Sequence, residues 1–374
     1  MEPPASVTFA NWQRVTADER TEEFHTSFPS PMATAYAANN SVPVKAILPL
    51  KREGSIPAVL VLHYWGAIDE RVERSIASEL NSRGIAAVLV ALPYHLGRTP
   101  PGTRSGALAI QPDPNALKAT MRQCLFDVRR VFDWMASRPE FDRDRLGVVG
   151  TSLGAIVTSL LTGIDRRPAA AAYVLGGADL AHVLWRSSRV VKERDQLRSQ
   201  GYTESKLRAE LAEIEPLNYL DKIRPKSAFV VGARHDTVIP PETTQKLIDV
   251  LDDPAVLWLD TGHYGGFLVQ KRVHHEVALF FDETFRGESY EPPARISAPT
   301  VRLGVSLYPP RGLQVAAGID IWRGDAEGNS FASLQLAPRG PQVFVGQRLD
   351  RGLTLGLFLR AGGVSPGLFW GVVL

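Results

Sequence analysis

The 374-residue sequence holds a single cysteine, Cys124, which excludes an internal disulfide. It has no CxxC pair and no His/Cys cluster, so the usual zinc spacings are missing too. Around Cys124 the stretch "TMRQCLFDVRRVFDWM" carries the apolar spacing of an amphipathic helix, which makes the thiol a small buried packing group rather than a reactive one. No apolar run reaches about 18 residues, and this excludes a membrane-spanning helix. Neither sign of charge dominates: 42 basic against 40 acidic side chains leave no overall field to draw in nucleic acid or an anionic membrane. The opening "MEPPASVTF" has neither the basic nor the apolar segment of an export signal. It reads either as a cytoplasmic terminus or as the start of an exported chain whose leader is absent.

What is there is length enough for one large domain and a small one, with an extensive core. Residues 1–50 alternate in "TEEFHTSFPS" and "VPVKAILPL", the pattern of an antiparallel edge. The rhythm then changes to continuous apolar runs at 58–63, 84–93, 145–150, 170–177, 227–232 and 255–260, suited to strands buried on both faces. Helical patterns lie between them. Strands alternating with helices predict a doubly wound, mostly parallel α/β sheet, because a parallel neighbour requires a crossover. Residues 179–220 interrupt the alternation with two or three amphipathic helices, the size and place of a lid.

After the Pro-rich "GESYEPPARISAP" (287–299) lysine disappears and period-two runs take over, as in "VRLGVSLY" and "LTLGLFLRA". Five or six antiparallel strands joined by tight turns such as "RGDAEGNS" and "LDRG" are expected there. The runs resemble strands of membrane β-barrels, but such barrels need at least about eight strands. The expectation is therefore a small soluble sheet, packed on the rest of the chain or pairing two copies into a homo-oligomer. The domain boundary falls near residue 290, giving 1–290 and 291–374.

One short stretch carries the chemistry. In "RLGVVGTSLGA" (145–155) an apolar run meets a serine fenced by Gly150 and Gly154, the device of a strand that reverses into a helix within two or three residues. Ser152 is at the apex. A serine hydroxyl is a poor nucleophile near neutral pH and needs a base, itself oriented by a third group. "VVGARHDTVIPPE" puts Asp236 just beyond a buried run, and "WLDTGHYGGF" puts His263 just beyond the next. An open α/β sheet gathers its reacting groups along the carboxyl edge, where all three are expected. Asp260 is a rival acid, poorly placed to face an imidazole three residues on.

The order Ser152, Asp236, His263 is the nucleophile, acid, base order of the α/β-hydrolases. Residues 40–285 resemble an esterase of that superfamily, similar to dienelactone-hydrolase-like and prolyl-oligopeptidase-like members. The resemblance implies an oxyanion hole from the N–H of Leu153 and a second N–H in "LHYWGA", assigned to Trp65 with Tyr64 as the alternative. Where the family often has His-Gly, this chain has His63-Tyr64. It further implies that His63 supports the oxyanion loop and does not react. Tyr64, Trp65, His95, Arg98 and Tyr264 are the expected substrate-lining residues. His182 in the insertion, and His235, His274 and His275 elsewhere, are weaker candidates.

The implied activity is cleavage of carboxylic esters, small or polymeric, through an acyl-enzyme, with no cofactor and no metal. A polyester or polysaccharide-ester hydrolase, a serine peptidase and a non-catalytic binding module remain as alternatives.

Overall fold

The apolar runs do become a sheet. In the computed structural model, which describes residues 8–294, 296, 300–309, 312–323, 329–350 and 352–373, nine strands line up in the order β1-β2-β3-β5-β4-β6-β7-β8-β9. They are β1 (Gln13–Ala17), β2 (Thr21–Pro29), β3 (Ser41–Pro49), β4 (Ile56–Leu62), β5 (Ala86–Val90), β6 (Phe141–Thr151), β7 (Ala170–Val174), β8 (Ser227–Ala233) and β9 (Ala255–Leu259). The first three pair antiparallel, and β3 joins β5 antiparallel. From β5 through β4, β6 and β7 to β8 every pairing is parallel. Strands such as "AAVLV" and "AAAYV" are buried at every position, as a sheet covered on both faces requires.

The crossovers are α1 (Arg71–Asn81), α2 (Pro114–Ser137) and α3 (Leu153–Thr162). The start of α2 is marked by Asp113, whose carboxylate accepts the N–H of Asn115, with Pro114 at the first helical position. Cys124 lies in this helix, fully buried, and burial pushes its thiol up to about 12. Between β7 and β8 comes the helical insertion: α4 (Leu180–Arg186), α5 (Val191–Ser199), α6 (Glu204–Glu210) and α7 (Leu217–Leu220). Glu215 anchors it by accepting the N–H groups of Asp179 and Leu180 at 2.9 and 2.7 Å. The helices α8 (Pro241–Leu251) and α9 (Gly266–Arg286) follow β8 and β9.

The chain divides into two compact units. One comprises residues 1–232, 238–257 and 271–294; the other comprises 233–237, 258–270 and 295–374. In the second, the expected soluble sheet is instead a closed barrel. Its strands are β10 (Val301–Tyr308), β11 (Gly312–Arg323), β12 (Ser330–Ala337), β13 (Gly340–Asp350), β14 (Leu353–Arg360) and β15 (Gly363–Val373), each antiparallel to the next, with β15 returning to β10.

Closure with so few strands has a steric reason. A Cβ on Gly356 would meet the carbonyl oxygen of Val345 at 2.2 Å, and one on Gly304 would meet that of Trp370 at 2.3 Å, so only glycine lets the backbones approach this closely. Phe331, Phe344, Phe358 and Phe369 fill the interior. The turn expected in "RGDAEGNS" lies largely outside the described residues, as do Arg351 of "LDRG", most of residues 295–299 and the first seven residues.

Candidate functional site

β6 ends at Thr151 and α3 begins at Leu153, so the reversal falls on Ser152 alone. Its backbone has φ 54° and ψ −109°, a conformation that costs a side-chain-bearing residue roughly 1–3 kcal/mol. The turn is held by the Ser152 N–H, which donates to the carbonyl of Val174 at 2.8 Å. Both flanking glycines are obligatory: a Cβ on Gly150 would lie 2.1 Å from the carbonyl oxygen of Gly154, and one on Gly154 would lie 2.4 Å from that of Leu62. Ser152 is buried. Leu153, as the first residue of α3, has an N–H with no acceptor inside the helix.

The loop after β4 is built around two histidines. His63 is fully buried; its Nε2 accepts the N–H of Leu92 at 2.9 Å and its Nδ1 donates to the carbonyl of Tyr64 at 2.9 Å. These two bonds specify the neutral tautomer, and burial holds the imidazole down at about 4. His63 therefore ties the backbone at Tyr64 to the start of the next loop.

His95, also buried, sits 4.8 Å from His63 between ring centres, and its Nδ1 donates to the carbonyl of Pro93 at 2.8 Å. Burial and then the neighbouring His63 push it down to about 3. The Trp65 indole N–H donates to the carbonyl of Gly106 at 2.8 Å, which fixes the ring.

Arg98 differs from its expected role. Rather than lining an entrance, it is fully buried, ion-paired at 2.8 Å with Asp127 of α2 and bonded to the carbonyls of Asn39 and Ala91. A loop with so many backbone carbonyls to satisfy draws the guanidinium inward, and Asp127 neutralises it. Sequence reading missed Arg189, whose guanidinium lies 4.8 Å over the Trp65 ring. No local pattern announces a contact between an insertion helix linker and the β4 loop.

In the second unit, Asp236 and His263 occupy the loops that follow β8 and β9. The two loops are laced together by the N–H of Arg234 donating to Leu259 and that of His235 donating to Thr261. Between them the Nδ1 of His263 donates to Oδ2 of Asp236 at 2.7 Å, with both side chains buried. This bond fixes the tautomer and leaves Nε2 as the basic nitrogen. Asp260, the rival acid, is paired instead with Arg234 at 3.2 Å. Tyr264 packs edge-on against His263 with ring centres 5.6 Å apart and is partly exposed.

The remaining histidines have structural partners. His182 bridges Glu204 and Glu242 within the first unit, and His274 bonds Ser75. No group of three His, Cys, Asp or Glu that could hold a metal occurs among the described residues.

The fold has known counterparts. The chain superposes on an acetyl xylan esterase from Paenibacillus sp. R4 with a TM-score of 0.60 at 20% identity, over 76% of this chain and 89% of that one. The acetyl xylan esterase 1 from Thermoanaerobacterium sp. JW/SL YS485 gives 0.53 at 17% identity, over 72% and 89%. The larger unit has the α/β-hydrolase fold.

Within that fold, residues 116–287 match the model of the prolyl oligopeptidase family. Two uncharacterized proteins of Mycobacterium tuberculosis, from strains CDC 1551 / Oshkosh and ATCC 25618 / H37Rv, are each 26% identical over 190 residues. The match takes in 49% of this chain and 43% of each relative, so the chain spans less than half the length of those relatives that it matches. The α/β-hydrolase neighbours and the family model thus agree on the fold of the larger unit.

Proposed function

We propose that this protein is a serine ester hydrolase in which Ser152, His263 and Asp236 form a triad. The observation that carries the reading is the backbone of Ser152: a left-handed, strained residue between two irreplaceable glycines, at the carboxyl end of a central parallel strand. A plain turn has no need of that strain, whereas a nucleophile lifted clear of its sheet does.

In the proposed reaction His263 Nε2 takes the Ser152 hydroxyl proton as the oxygen attacks an ester carbonyl. The N–H groups of Leu153 and Trp65, or Tyr64 in place of Trp65, hold the resulting oxyanion. Collapse expels the alcohol, which leaves with the proton from His263, and the acyl group stays on Ser152. Water, deprotonated by the same imidazole, then releases the acid and restores the serine. Asp236 stabilises the imidazolium formed in each half-reaction. The helical insertion after β7 is assigned as the lid, and Tyr64, Trp65 and Tyr264 as substrate-lining residues.

An ester is preferred to a peptide because the likeness is to proteins named as acetyl xylan esterases, and esters are intrinsically easier to cleave than amides. The prolyl oligopeptidase family match favours a peptidase as the second reading.

The test is a series of p-nitrophenyl esters of increasing acyl length, beside a prolyl p-nitroanilide, with wild type and Ser152→Ala. Turnover of the short esters by wild type alone supports the proposal. Turnover of the anilide alone moves the protein to the peptidases, and equal turnover by both forms removes the serine mechanism.

A further inference from the structure

The barrel is apolar on its outside as well as in its phenylalanine core. Its interior holds, besides the phenylalanines, a polar set: Arg302 bonded to Asp320 at 2.7 and 2.8 Å, and Gln314, Gln342 and Gln335 bonded in a chain. Its exterior is hydrocarbon on every strand, as Leu307, Leu313, Leu336, Val345, Leu357 and Trp370 show, one exposed side chain from each of β10 to β15. Among the described residues, the outward strand positions between the two rims carry no Asp, Glu, Lys or Arg.

Among the described residues, the other charged strand residues lie at the rims. Arg348 and Asp350 end β13 at one rim, toward which the exposed Trp322 and Trp370 also lie, and Arg339 and Arg360 stand at the other.

We infer that this wall, although its six strands are fewer than the roughly eight of the smallest barrels that span a membrane on their own, seats in the hydrocarbon of a lipid bilayer as an anchor. A second copy of the chain is a poorer occupant. A two-fold contact covers one side of a barrel, typically about 800 Å² per partner, and would leave the leucines of the opposite strands in water. Lipid covers the whole circumference. It also demands that every backbone N–H and C=O be satisfied internally, which a closed barrel achieves because it has no edge strand.

The dimensions agree. Strands of 8 to 12 residues, tilted as barrel strands are, make a wall about 20–30 Å tall, against an apolar band of about 25 Å on membrane barrels. The rim tryptophans and arginines then fall at the depth of the headgroups. The packed phenylalanine interior leaves no water channel, so the barrel is an anchor and not a pore. None of this depends on the ester-hydrolase reading.

The full-length protein should float with vesicles of neutral phosphatidylcholine and stay bound at about 1 M salt, since screening weakens electrostatic but not apolar attachment. Its tryptophan emission should be quenched by brominated phosphatidylcholine, and a Trp322→Phe/Trp370→Phe variant should lose most of that quenching. Leu355→Asp/Leu357→Asp should float at least tenfold less while keeping the wild-type circular dichroism. Protein that stays at the bottom of the gradient as a monomer overturns the inference. Protein that stays there as an oligomer, dissociated by neither salt nor vesicles, also overturns it and gives the surface to a second copy.

Discussion

Oδ2 of Asp236 and Nδ1 of His263 are 2.7 Å apart in a buried hydrogen bond between the loops that follow β8 and β9. The carboxylate thereby selects one tautomer of the imidazole, and Asp236→Asn, which presents an N–H to that nitrogen, would select the other. The expected result is a fall in kcat of about 10⁴-fold with KM little changed, as for the corresponding change in Ser-His-Asp enzymes. Steady-state kinetics on a p-nitrophenyl ester, with circular dichroism to show an intact fold, checks it. A loss below tenfold would remove Asp236 from the mechanism.

Gly154→Ala places a methyl 2.4 Å from the carbonyl oxygen of Leu62, which is backbone and cannot swing away. The helix α3 must shift against β4, at a cost of about 1–3 kcal/mol or more. Because Ser152 sits at the hinge of that shift, activity should fall more than tenfold even below the melting temperature. Urea denaturation and ester turnover measured on the same sample separate the two effects.

Glu73, in the first turn of α1, is buried, and its two carboxyl oxygens have no hydrogen-bond partner among the described residues. Burial first, then the nearby Glu70 and Asp69, raise its carboxyl to about 7. The folded protein thus binds a proton there that the unfolded chain releases above about 4.5, so this group makes stability fall as pH rises from about 4.5 through about 7. The fall is on the order of 3 kcal/mol. Glu73→Gln should abolish that part of the pH dependence and be the more stable protein at pH 8.

Buried histidines give the opposite slope. His63 and His274, both held near 4 by burial, lose their contribution as pH drops below about 6.5. Urea midpoints of wild type and Glu73→Gln across pH 5 to 9 resolve the two. Parallel curves would contradict the assignment.

Much of this was legible in the chain because the relevant signals are local. Runs such as "AVLVLH" declare a strand buried on both faces, and the Gly150–Ser152–Gly154 spacing declares a reversal without reference to anything else. The pairing of Asp236 with His263 needed only the alternation of strands and helices, which sends both loops to the same edge.

Long-range features were not legible. Arg98 reads as a loop cation until Asp127, on another element, draws it into the core. Barrel closure rests on β10 meeting β15, and β15 is disguised by Pro366 and its glycines, which weaken its strand pattern. The alternating leucines of "LTLGLFLRA" hint at an apolar wall in the sequence, but only the register tells that they are the residues that face out.

The most direct test of the central claim is covalent: treat the protein with a fluorophosphonate, digest it, and locate the adduct by mass spectrometry. The account predicts one stoichiometric adduct on Ser152, lost in Ser152→Ala and strongly slowed in His263→Ala. An unmodified Ser152 in a folded protein that still hydrolyses esters, or an adduct on another residue, would contradict it.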